Sequence, residues 1–430
     1  QKIDMAARLV PIPQQLAWQQ MEFTCFLHFG INTFTGREWG DGKEDPAIFN
    51  PTELDCEQWV RALKEGGFKM AIITAKHHDG FCLWPSKYTD YTIAHTPYKK
   101  DVVKQIVDAY TAEGIDVHLY FSIIDWNHKG YRPAPPETRQ DSIAYETFKE
   151  FTRNQLIELL TDYPAIKGLW FDGSWDKAWM NEAAWVDTLG LELRKLHPGL
   201  IIGSRFRADE YGKRHYDSNG DLIDDYDQTW ERDLPNSLED LNGSDWDCVM
   251  TIPENQWGYH AEWRGYVKTS YDLLEMMVKA VSLNGNFVLN FGPDGKGNIR
   301  SEETKLAKEI GDWMKINKEA IYGTSHSTVQ KQDWGYFTQK GNKLYMCVFN
   351  RPINNLLKIE IPKGGIIPMK AYFLENNQET EIQNAGKNKR NSSLYHVAVP
   401  ASYKTDRPFV IVLEMQENTK EEGEYQQAKI

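Results

Sequence analysis

The sequence Gly168-Leu-Trp-Phe-Asp-Gly-Ser-Trp175 ends a short apolar run with a single carboxylate. The run predicts a buried strand, and Gly173, directly after Asp172, indicates that the chain turns away there. Aspartate is depleted from strands and is seldom buried unless another group pairs with it or uses it. Two interpretations stay open at this point: Asp172 caps the following turn, or it belongs to a functional site.

The same unit, an apolar run followed by an amphipathic segment, recurs along the first three quarters of the chain. We predict strands at residues 23–29, 70–75, 117–121, 168–172, 200–203, 227–231, 247–252 and 286–290. Helical patterns lie at residues 52–65, 101–113, 141–160, 180–196, 271–282 and 302–317. This alternation predicts an α/β fold, a (β/α)8 TIM-like barrel. The alternative, an open doubly wound sheet, expects a Gly-rich dinucleotide turn after an early strand, and the sequence has none.

The last hundred residues have a different pattern. Short alternating runs are separated by turn pairs such as Gly341-Asn342 and Asn376-Asn377, and they lie at residues 343–349, 357–361, 369–373, 394–399 and 409–413. They predict a C-terminal antiparallel β-sandwich built from hairpins. We therefore predict a barrel at residues 1–325, a sandwich at 326–415 and a polar tail at 416–430.

Composition excludes several classes of function. The net charge of −13 argues against a nucleic-acid partner, which favours a basic face. No apolar run approaches the roughly 18 residues of a membrane span, so we expect no membrane insertion. The first residue, Gln1, suggests a processed or truncated N-terminus, which leaves export open. The five cysteines are scattered without a CxxC pair, and we expect buried thiols rather than disulfides or a zinc site.

In a (β/α)8 barrel the chemistry lies at the C-terminal ends of the strands. The predicted strand ends carry a set of polar side chains, namely His28, His77, His78, Tyr120, Asp172, Arg205, Glu231 and Asn290. Each has a simpler explanation when it is taken alone. His28 fits a core histidine, Arg205 a structural ion pair, and Glu231 a solvated loop charge.

A metal site is the first joint interpretation of these residues. The sequence His77-His78-Asp79 contains ligand types that zinc hydrolases use. Adjacent strand residues point to opposite faces, however, so we expect that the two histidines do not reach one ion. We therefore predict no metal and no cofactor.

A sugar site is the second and stronger interpretation. Two carboxylates, Asp172 and Glu231, are the groups that glycoside hydrolysis needs, one to attack and one to protonate the leaving oxygen. The acid must start protonated, and we expect burial among aromatic rings to favour that form. Aromatic rings also pack on the apolar face of a sugar, and the candidates are Trp39, Trp84, Trp170 and Trp175.

Four segments carry a family resemblance. The chain resembles the bacterial α-L-fucosidases of glycoside hydrolase family 29 through His28-Phe-Gly-Ile-Asn32, Lys76-His-His-Asp-Gly-Phe-Cys-Leu-Trp84, Trp170-Phe-Asp-Gly173 and Asn284-Gly-Asn-Phe-Val-Leu-Asn-Phe-Gly-Pro-Asp-Gly295. The resemblance extends over the barrel and the sandwich. It implies an exo-acting, retaining α-L-fucosidase that removes terminal α-L-fucose by double displacement through a covalent fucosyl-enzyme. The implied partners are fucosylated oligosaccharides or glycoconjugates.

The resemblance also assigns roles to individual residues. It makes Asp172 the nucleophile, and it makes Trp170 a wall of the pocket that suits the C6 methyl group of fucose. Tyr120 and Arg205 match further site positions of the family. The clamp for the fucose hydroxyl groups is implied to consist of His28, Glu38, Trp39, His77 and His78.

The acid/base residue varies in position within the family, so two candidates stay open. Glu231, at the end of the sixth predicted strand, is our prediction. Its rival is Glu254, on the loop after the seventh strand. A retaining pair is expected to lie about 5–5.5 Å apart.

Two alternative functions remain at this level. One is a non-catalytic carbohydrate-binding protein, and the other is a retaining glycosidase for another sugar such as galactose. Because fucosylated glycans are extracellular, we expect a periplasmic or secreted protein. Linkage preference is expected to depend on long loops at residues 131–140 and 210–225.

Overall fold

The computed structural model describes residues 13–207, 223–241, 245–261, 265–364 and 366–417. The chain divides into two compact units, one ending at Lys268 and completed by Asn286–Glu309, the other comprising Thr269–Gly285 and the chain from Ile310 onward. The predicted boundary at residue 325 stays a prediction. The predicted tail at 416–430 lies outside the described residues except for its first two positions, and so does most of the loop at 210–225.

Eight strands of the first unit form one sheet whose neighbouring strands run parallel. They are β1 (Phe23–Leu27), β2 (Met70–Lys76), β3 (Asp116–Ser122), β4 (Gly168–Asp172), β5 (Ile201–Ile202), β6 (Asp227–Glu231), β7 (Trp246–Met250) and β8 (Gly285–Phe291). Their order is β5-β4-β3-β2-β1-β8-β7-β6. A parallel bridge between Gly203 and Tyr226 joins the two ends of this order and closes the sheet. The predicted (β/α)8 barrel is confirmed.

The barrel interior explains why its strands are apolar runs rather than alternating patterns. Helices cover the outer face of a parallel barrel, so both faces of most strands are buried. Every residue of the strands β1, β2, β7 and β8 is buried. One interior cluster joins side chains from most of the strands, namely Phe26, Met70, Ile72, Tyr120, Trp170, Ile201, Tyr226, Val249 and Val288. Trp18, from the helix Pro13–Gln19 that we did not predict, stacks on Tyr226 and completes this cluster.

The helices agree with the predicted periodicity, with small shifts at their N-termini. They span Cys56–Lys64, Val102–Ala112, Arg139–Asp162, Ala183–Leu196, Ser270–Ser282 and Ser301–Asn317. Several of these helices begin at a capping side chain. The capping side chain accepts hydrogen bonds from amides of the first turn, which have no partner within the helix. Asp55 caps the first of these helices, which explains why it begins after the predicted position. A separate helical turn occupies Lys177–Met180, so the helix that we predicted from residue 180 begins at Ala183.

The C-terminal part of the second unit is a β-sandwich, as predicted. A five-stranded and a three-stranded antiparallel sheet share one apolar core that includes Leu344 and Met346 from one sheet and Leu357 and Ile359 from the other. The sequence prediction missed the strands Gly335–Lys340, Glu379–Thr380 and Ile382–Lys387. The last two have largely exposed or half-buried side chains, so they lack the apolar alternation that reveals a strand.

Two further expectations concern the cysteines and membrane-spanning helices. All five cysteines are buried and free, as predicted. Among the described residues, no helix has the length and apolar character that a membrane crossing requires.

Candidate active site

The carboxylate of Asp172 lies at the C-terminal tip of β4 and is held from three sides. Tyr120 donates its hydroxyl hydrogen to Oδ2 over 2.7 Å, while Arg205 Nη1 lies 3.2 Å from Oδ1. The amide of Gly173 donates to Oδ1 as well, over 3.1 Å. Gly173 has a φ of +89°, and a β-carbon there would lie 2.8 Å from Ile124. The turn that presents Asp172 therefore requires glycine.

Arg205 connects the two candidate carboxylates. It sits in a turn directly after β5, and its Nη2 lies 3.3 Å from Oε2 of Glu231, at the end of β6. Its Nε donates to the carbonyl oxygen of Gln228 over 3.0 Å, and its guanidinium lies over the ring of Trp170. One fixed guanidinium therefore contacts both Asp172 and Glu231.

The expected burial of Glu231 among aromatic rings is wrong. Its side chain is 38% exposed, against 13% for Asp172. The outer half of β6 is partly exposed, unlike the buried β4. The charged partner of Glu231 is Arg205, whose Nη2 lies 3.3 Å away.

His78 is a neutral imidazole with a defined tautomer. Burial lowers the pKa of His78 to about 3. Ser122 donates its hydroxyl hydrogen to the carbonyl oxygen of Ile124, so its oxygen accepts from Nδ1 of His78, 2.5 Å away. Nε2 then carries no hydrogen, and it lies 3.6 Å from Oδ2 of Asp172. Nε2 of His78 and Oδ2 of Asp172 are therefore both hydrogen-bond acceptors. A ligand hydroxyl group that lies between them can donate its hydrogen to either one.

His28 has the same character. Burial lowers its pKa to about 3. Asn290 donates from its side-chain nitrogen to the carbonyl oxygen of Trp257 over 2.7 Å, so its oxygen accepts from Nδ1 of His28. Nε2 of His28 is therefore a second acceptor, suited to a hydroxyl donor.

Stacked rings form one wall of the site. Tyr120 lies between His77, at a centroid distance of 5.1 Å, and Trp170, at 5.6 Å. The indole N–H of Trp170 donates to Oδ2 of the buried Asp247 over 3.0 Å, which fixes its ring plane. Burial raises the pKa of Asp247 to about 7. The wall is therefore an apolar surface on which the ring of Trp170 has a fixed orientation.

These groups line one cavity of about 650 Å³. The predicted site residues that line it are His28, Trp39, His77, His78, Tyr120, Trp170, Asp172, Trp175 and Glu231. Phe26, Val249 and Trp257 add apolar surface. A few polar groups converging in an apolar cavity are typical of a small-molecule site.

Comparison with known proteins identifies the family of this architecture. Residues 43–319 match the family described as Alpha-L-fucosidase. The chain belongs to the alpha-L-fucosidase family. It is 34% identical to alpha-L-fucosidase 1 of Arabidopsis thaliana over 324 residues, which is 71% of this chain and 60% of the plant protein. The chain thus spans about 60% of the length of that relative.

Solved structures of fucosidases extend the likeness to nearly the whole chain. The GH29 alpha-L-fucosidase of Bacteroides thetaiotaomicron is 41% identical, with a TM-score of 0.87 over 95% of this chain and 96% of that one. A second structure of the Bacteroides enzyme, with a TM-score of 0.86 and coverage of 95% and 97%, holds a trapped covalent intermediate. It was obtained with 2-fluoro-fucosyl fluoride and a Glu-to-Gln mutant of that protein.

Within this fucosidase fold, three predicted positions lie apart from the main cavity. Glu38 accepts a hydrogen bond from the amide of Trp257 over 2.9 Å, and it lines a smaller neighbouring cavity together with Trp39. Arg205 does not line the main cavity but contacts both carboxylates. Glu254, the rival acid, is exposed and lies outside the lining.

Two interpretations from the sequence are wrong. Trp84 is fully buried and donates to Glu158 over 2.6 Å, so it is a core residue rather than a sugar platform. His77 and His78 both line the cavity instead of pointing to opposite faces. The reason is that β2 ends at Lys76, and strand alternation does not extend into the loop. In the described part of the chain, no group of three or more His, Cys, Asp or Glu residues is arranged to hold a metal.

Several residues that line or support the main cavity were not predicted from the sequence. Asp247 is a carboxylate inside an apolar strand, the same signal that drew attention to Asp172, so it could have been found. The others come from loops, where no periodicity marks them: Trp126, Tyr131, Asp176, Arg232 and Trp257.

Proposed function

We propose that this protein is an exo-acting, retaining α-L-fucosidase that releases terminal α-L-fucose. One observation carries the proposal: Arg205 contacts Asp172 and Glu231 with the two terminal nitrogens of one guanidinium, and both carboxylates line a cavity that neutral histidines and aromatic rings also line. Two carboxylates in this relationship are the groups that double displacement uses. Membership of the alpha-L-fucosidase family supports the choice of sugar.

The donors and acceptors of the cavity support a fucose ring. The neutral Nε2 atoms of His28 and His78 accept hydrogen bonds, and sugar hydroxyl groups supply the matching hydrogens. Phe26, Trp170 and Val249 offer an apolar surface for the C6 methyl group, which galactose replaces with a hydroxymethyl group. A hydroxyl group against that surface would lose hydrogen bonds to water without gaining others.

In the first step, an oxygen of Asp172 bonds to the anomeric carbon while the bond from that carbon to the glycosidic oxygen breaks. Glu231 gives its proton to the departing oxygen. Tyr120 and Gly173 donate hydrogen bonds to Asp172, and Arg205 places a positive charge beside it, so the carboxylate is held in position for the attack. The product of this step is a fucosyl-enzyme ester on Asp172.

In the second step, Glu231 takes a proton from water as the water oxygen bonds to the anomeric carbon. The ester bond to Asp172 breaks, and the carboxylate is regenerated. Two inversions at one carbon give net retention. Glu231 thereby regains the proton that it gave to the leaving oxygen in the first step, and the enzyme returns to its starting state.

The test is hydrolysis of an aryl α-L-fucoside, followed by proton NMR of the sugar that is first released. The proposal expects α-L-fucose as the initial product, with β-L-fucose forming only later by mutarotation. Initial release of the β-anomer would exclude double displacement. An aryl galactoside of the same configuration is the matched control, and equal rates on both would exclude fucose specificity. Absence of hydrolysis of either substrate would favour a carbohydrate-binding protein.

The proposed partners are fucosylated oligosaccharides or glycoconjugates. Such glycans lie outside the cytoplasm, so we propose a periplasmic or secreted location. Cell fractionation with an antibody against the chain tests this, and recovery with cytoplasmic markers would contradict it.

A further inference from the structure

Trp126 and Trp175 are two of the three exposed tryptophans that line the main cavity, and the third is Trp39. Trp126 and Trp175 are 38% and 48% exposed, whereas Phe26, Tyr120 and Trp170 on the same lining are almost fully buried. Large exposed rings contribute little to folding, and a cluster of them beside a cavity is typical of a binding surface. The cavity therefore has a buried end around Asp172 and an exposed aromatic end.

The two tryptophans are joined to the catalytic end through a single ring. His78 makes edge contacts with both, at centroid distances of 5.4 Å to Trp126 and 6.0 Å to Trp175. Nε2 of the same imidazole lies 3.6 Å from Oδ2 of Asp172. The aromatic end thus begins one side chain away from the nucleophile.

The loops that carry these rings are held in place. The amide of Trp126 donates to the carbonyl oxygen of His78 over 2.8 Å. Tyr131 donates its hydroxyl hydrogen to Asp176, the neighbour of Trp175, over 2.6 Å. Ala178 donates from its amide to the carbonyl oxygen of Pro133 over 3.0 Å, which ties the loop after β3 to the loop after β4. A surface that is ordered before the ligand arrives loses less conformational entropy on binding.

The size of the cavity leaves room beyond one sugar. Its volume of about 650 Å³ falls among cavities that enclose drug-sized ligands, which are larger than a monosaccharide. A fucose ring bonded to His28 and reaching Asp172 occupies the buried end. The ring on the other side of the glycosidic bond needs a surface outside this buried end, and Trp126 and Trp175 are exposed rings of the same lining.

We propose that Trp126 and Trp175 form an acceptor-sugar subsite, which binds the apolar face of a neutral pyranose ring attached to the fucose. This inference rests on the proposed fucosidase activity. It predicts that the enzyme distinguishes a fucoside carrying a second sugar from one with no ring on the leaving side. The tryptophans contribute to recognition of the leaving sugar and take no part in bond breaking.

The test compares α-L-fucosyl fluoride, whose leaving group has no ring, with a panel of neutral α-1,2-, α-1,3-, α-1,4- and α-1,6-linked fucosyl disaccharides. For the disaccharide that the wild type hydrolyses best, Trp126→Ala and Trp175→Ala should each lower kcat/KM about tenfold, while hydrolysis of the fluoride stays within about twofold. Trp126→Phe and Trp175→Phe should recover part of the loss. Tyr88→Ala removes a similarly exposed ring outside the cavity lining and should change neither rate.

The outcomes separate this inference from the proposed function. A wild-type protein inactive on every substrate refutes the fucosidase proposal itself. Activity on the fluoride alone, or equal rates of the alanine variants and the wild type on the disaccharide, overturns the subsite. Equal losses on the fluoride and the disaccharide also overturn it, because they would mean that the tryptophans only support His78.

Discussion

Tyr120 donates its hydroxyl hydrogen to Oδ2 of Asp172 over 2.7 Å, across the gap between β3 and β4. The two strands place Tyr120 beside Trp170 and Ser122 beside Asp172 in register, so the bond is a direct consequence of strand pairing. A neutral donor to a carboxylate stabilises its charged form. Burial and the neighbouring Asp172 together raise the pKa of the Tyr120 hydroxyl well above its usual value, so Tyr120 keeps its hydrogen.

Removing that hydroxyl should slow the reaction without unfolding the protein. We expect Tyr120→Phe to lower kcat on an aryl α-L-fucoside about 10- to 100-fold, which corresponds to losing one hydrogen bond to a charged group. The ring still packs between His77 and Trp170, so the melting temperature should change little. Steady-state kinetics and thermal unfolding check this. An unchanged kcat would mean that the bond is not used in catalysis.

Arg205 should not tolerate lysine, because one ammonium group cannot replace two nitrogens that contact different carboxylates. We expect Arg205→Lys to lower kcat/KM at least about 100-fold. The matched control is Arg194→Lys, which alters another partly buried arginine that bonds an aspartate, Asp225, and a backbone carbonyl oxygen. Both variants should lose stability, but only Arg205→Lys should lose turnover. Comparable activity of the two variants would contradict a catalytic role for Arg205.

Glu231 and Glu254 can be separated by azide rescue. A small anion attacks the fucosyl-enzyme without a general base, so azide should restore turnover of an activated aryl fucoside in Glu231→Ala and yield a fucosyl azide. Glu254→Ala is the matched control and should retain most of its activity, because Glu254 is exposed and lies outside the cavity lining. Rescue in Glu254→Ala alone would transfer the acid/base role to Glu254.

The neutral histidines make a prediction about stability at low pH. Burial, with a smaller contribution from His78, lowers the pKa of His77 from 6.5 to about 3. Below pH 6.5 the unfolded chain therefore binds a proton that the folded chain does not, and stability falls as the pH drops toward 3. Between pH 7 and pH 5, the wild type should lose about 2 kcal/mol more free energy of unfolding than His77→Gln.

Urea unfolding at the two pH values measures this difference. Buried acids act in the opposite direction: burial raises the pKa of Asp79 and Asp247 to about 7, so the folded chain keeps protons that the unfolded chain releases above about pH 3.8. Their stabilising contribution is lost as the pH rises toward 7. Because the wild type and His77→Gln share both aspartates, the comparison isolates the histidine. An equal pH dependence would show that His77 titrates normally.

The barrel could be predicted because its strands are continuous apolar runs and its helices have clear periodicity. Asp172 could be predicted because a carboxylate at the end of an apolar run is unusual. The other polar residues could be predicted because they also lie at the C-terminal ends of predicted strands. Trp126, Tyr131 and Asp176 were missed because they lie on loops, where only three-dimensional packing brings distant residues together. Trp84 was misassigned because a sequence does not distinguish a tryptophan beside a cavity from one in the core.

The most direct test of the account is chemical labelling of the nucleophile. Incubation with 2-deoxy-2-fluoro-α-L-fucosyl fluoride should slow hydrolysis of the ester and leave a covalent sugar on the protein, because fluorine at C2 destabilises the positively charged transition state. Peptide mass spectrometry should find one 2-fluoro-fucosyl group on Asp172, and Asp172→Asn, with an unchanged fold, should take up no label. A label on another residue, or labelling of Asp172→Asn at the wild-type rate, would contradict the assignment of Asp172 as the nucleophile.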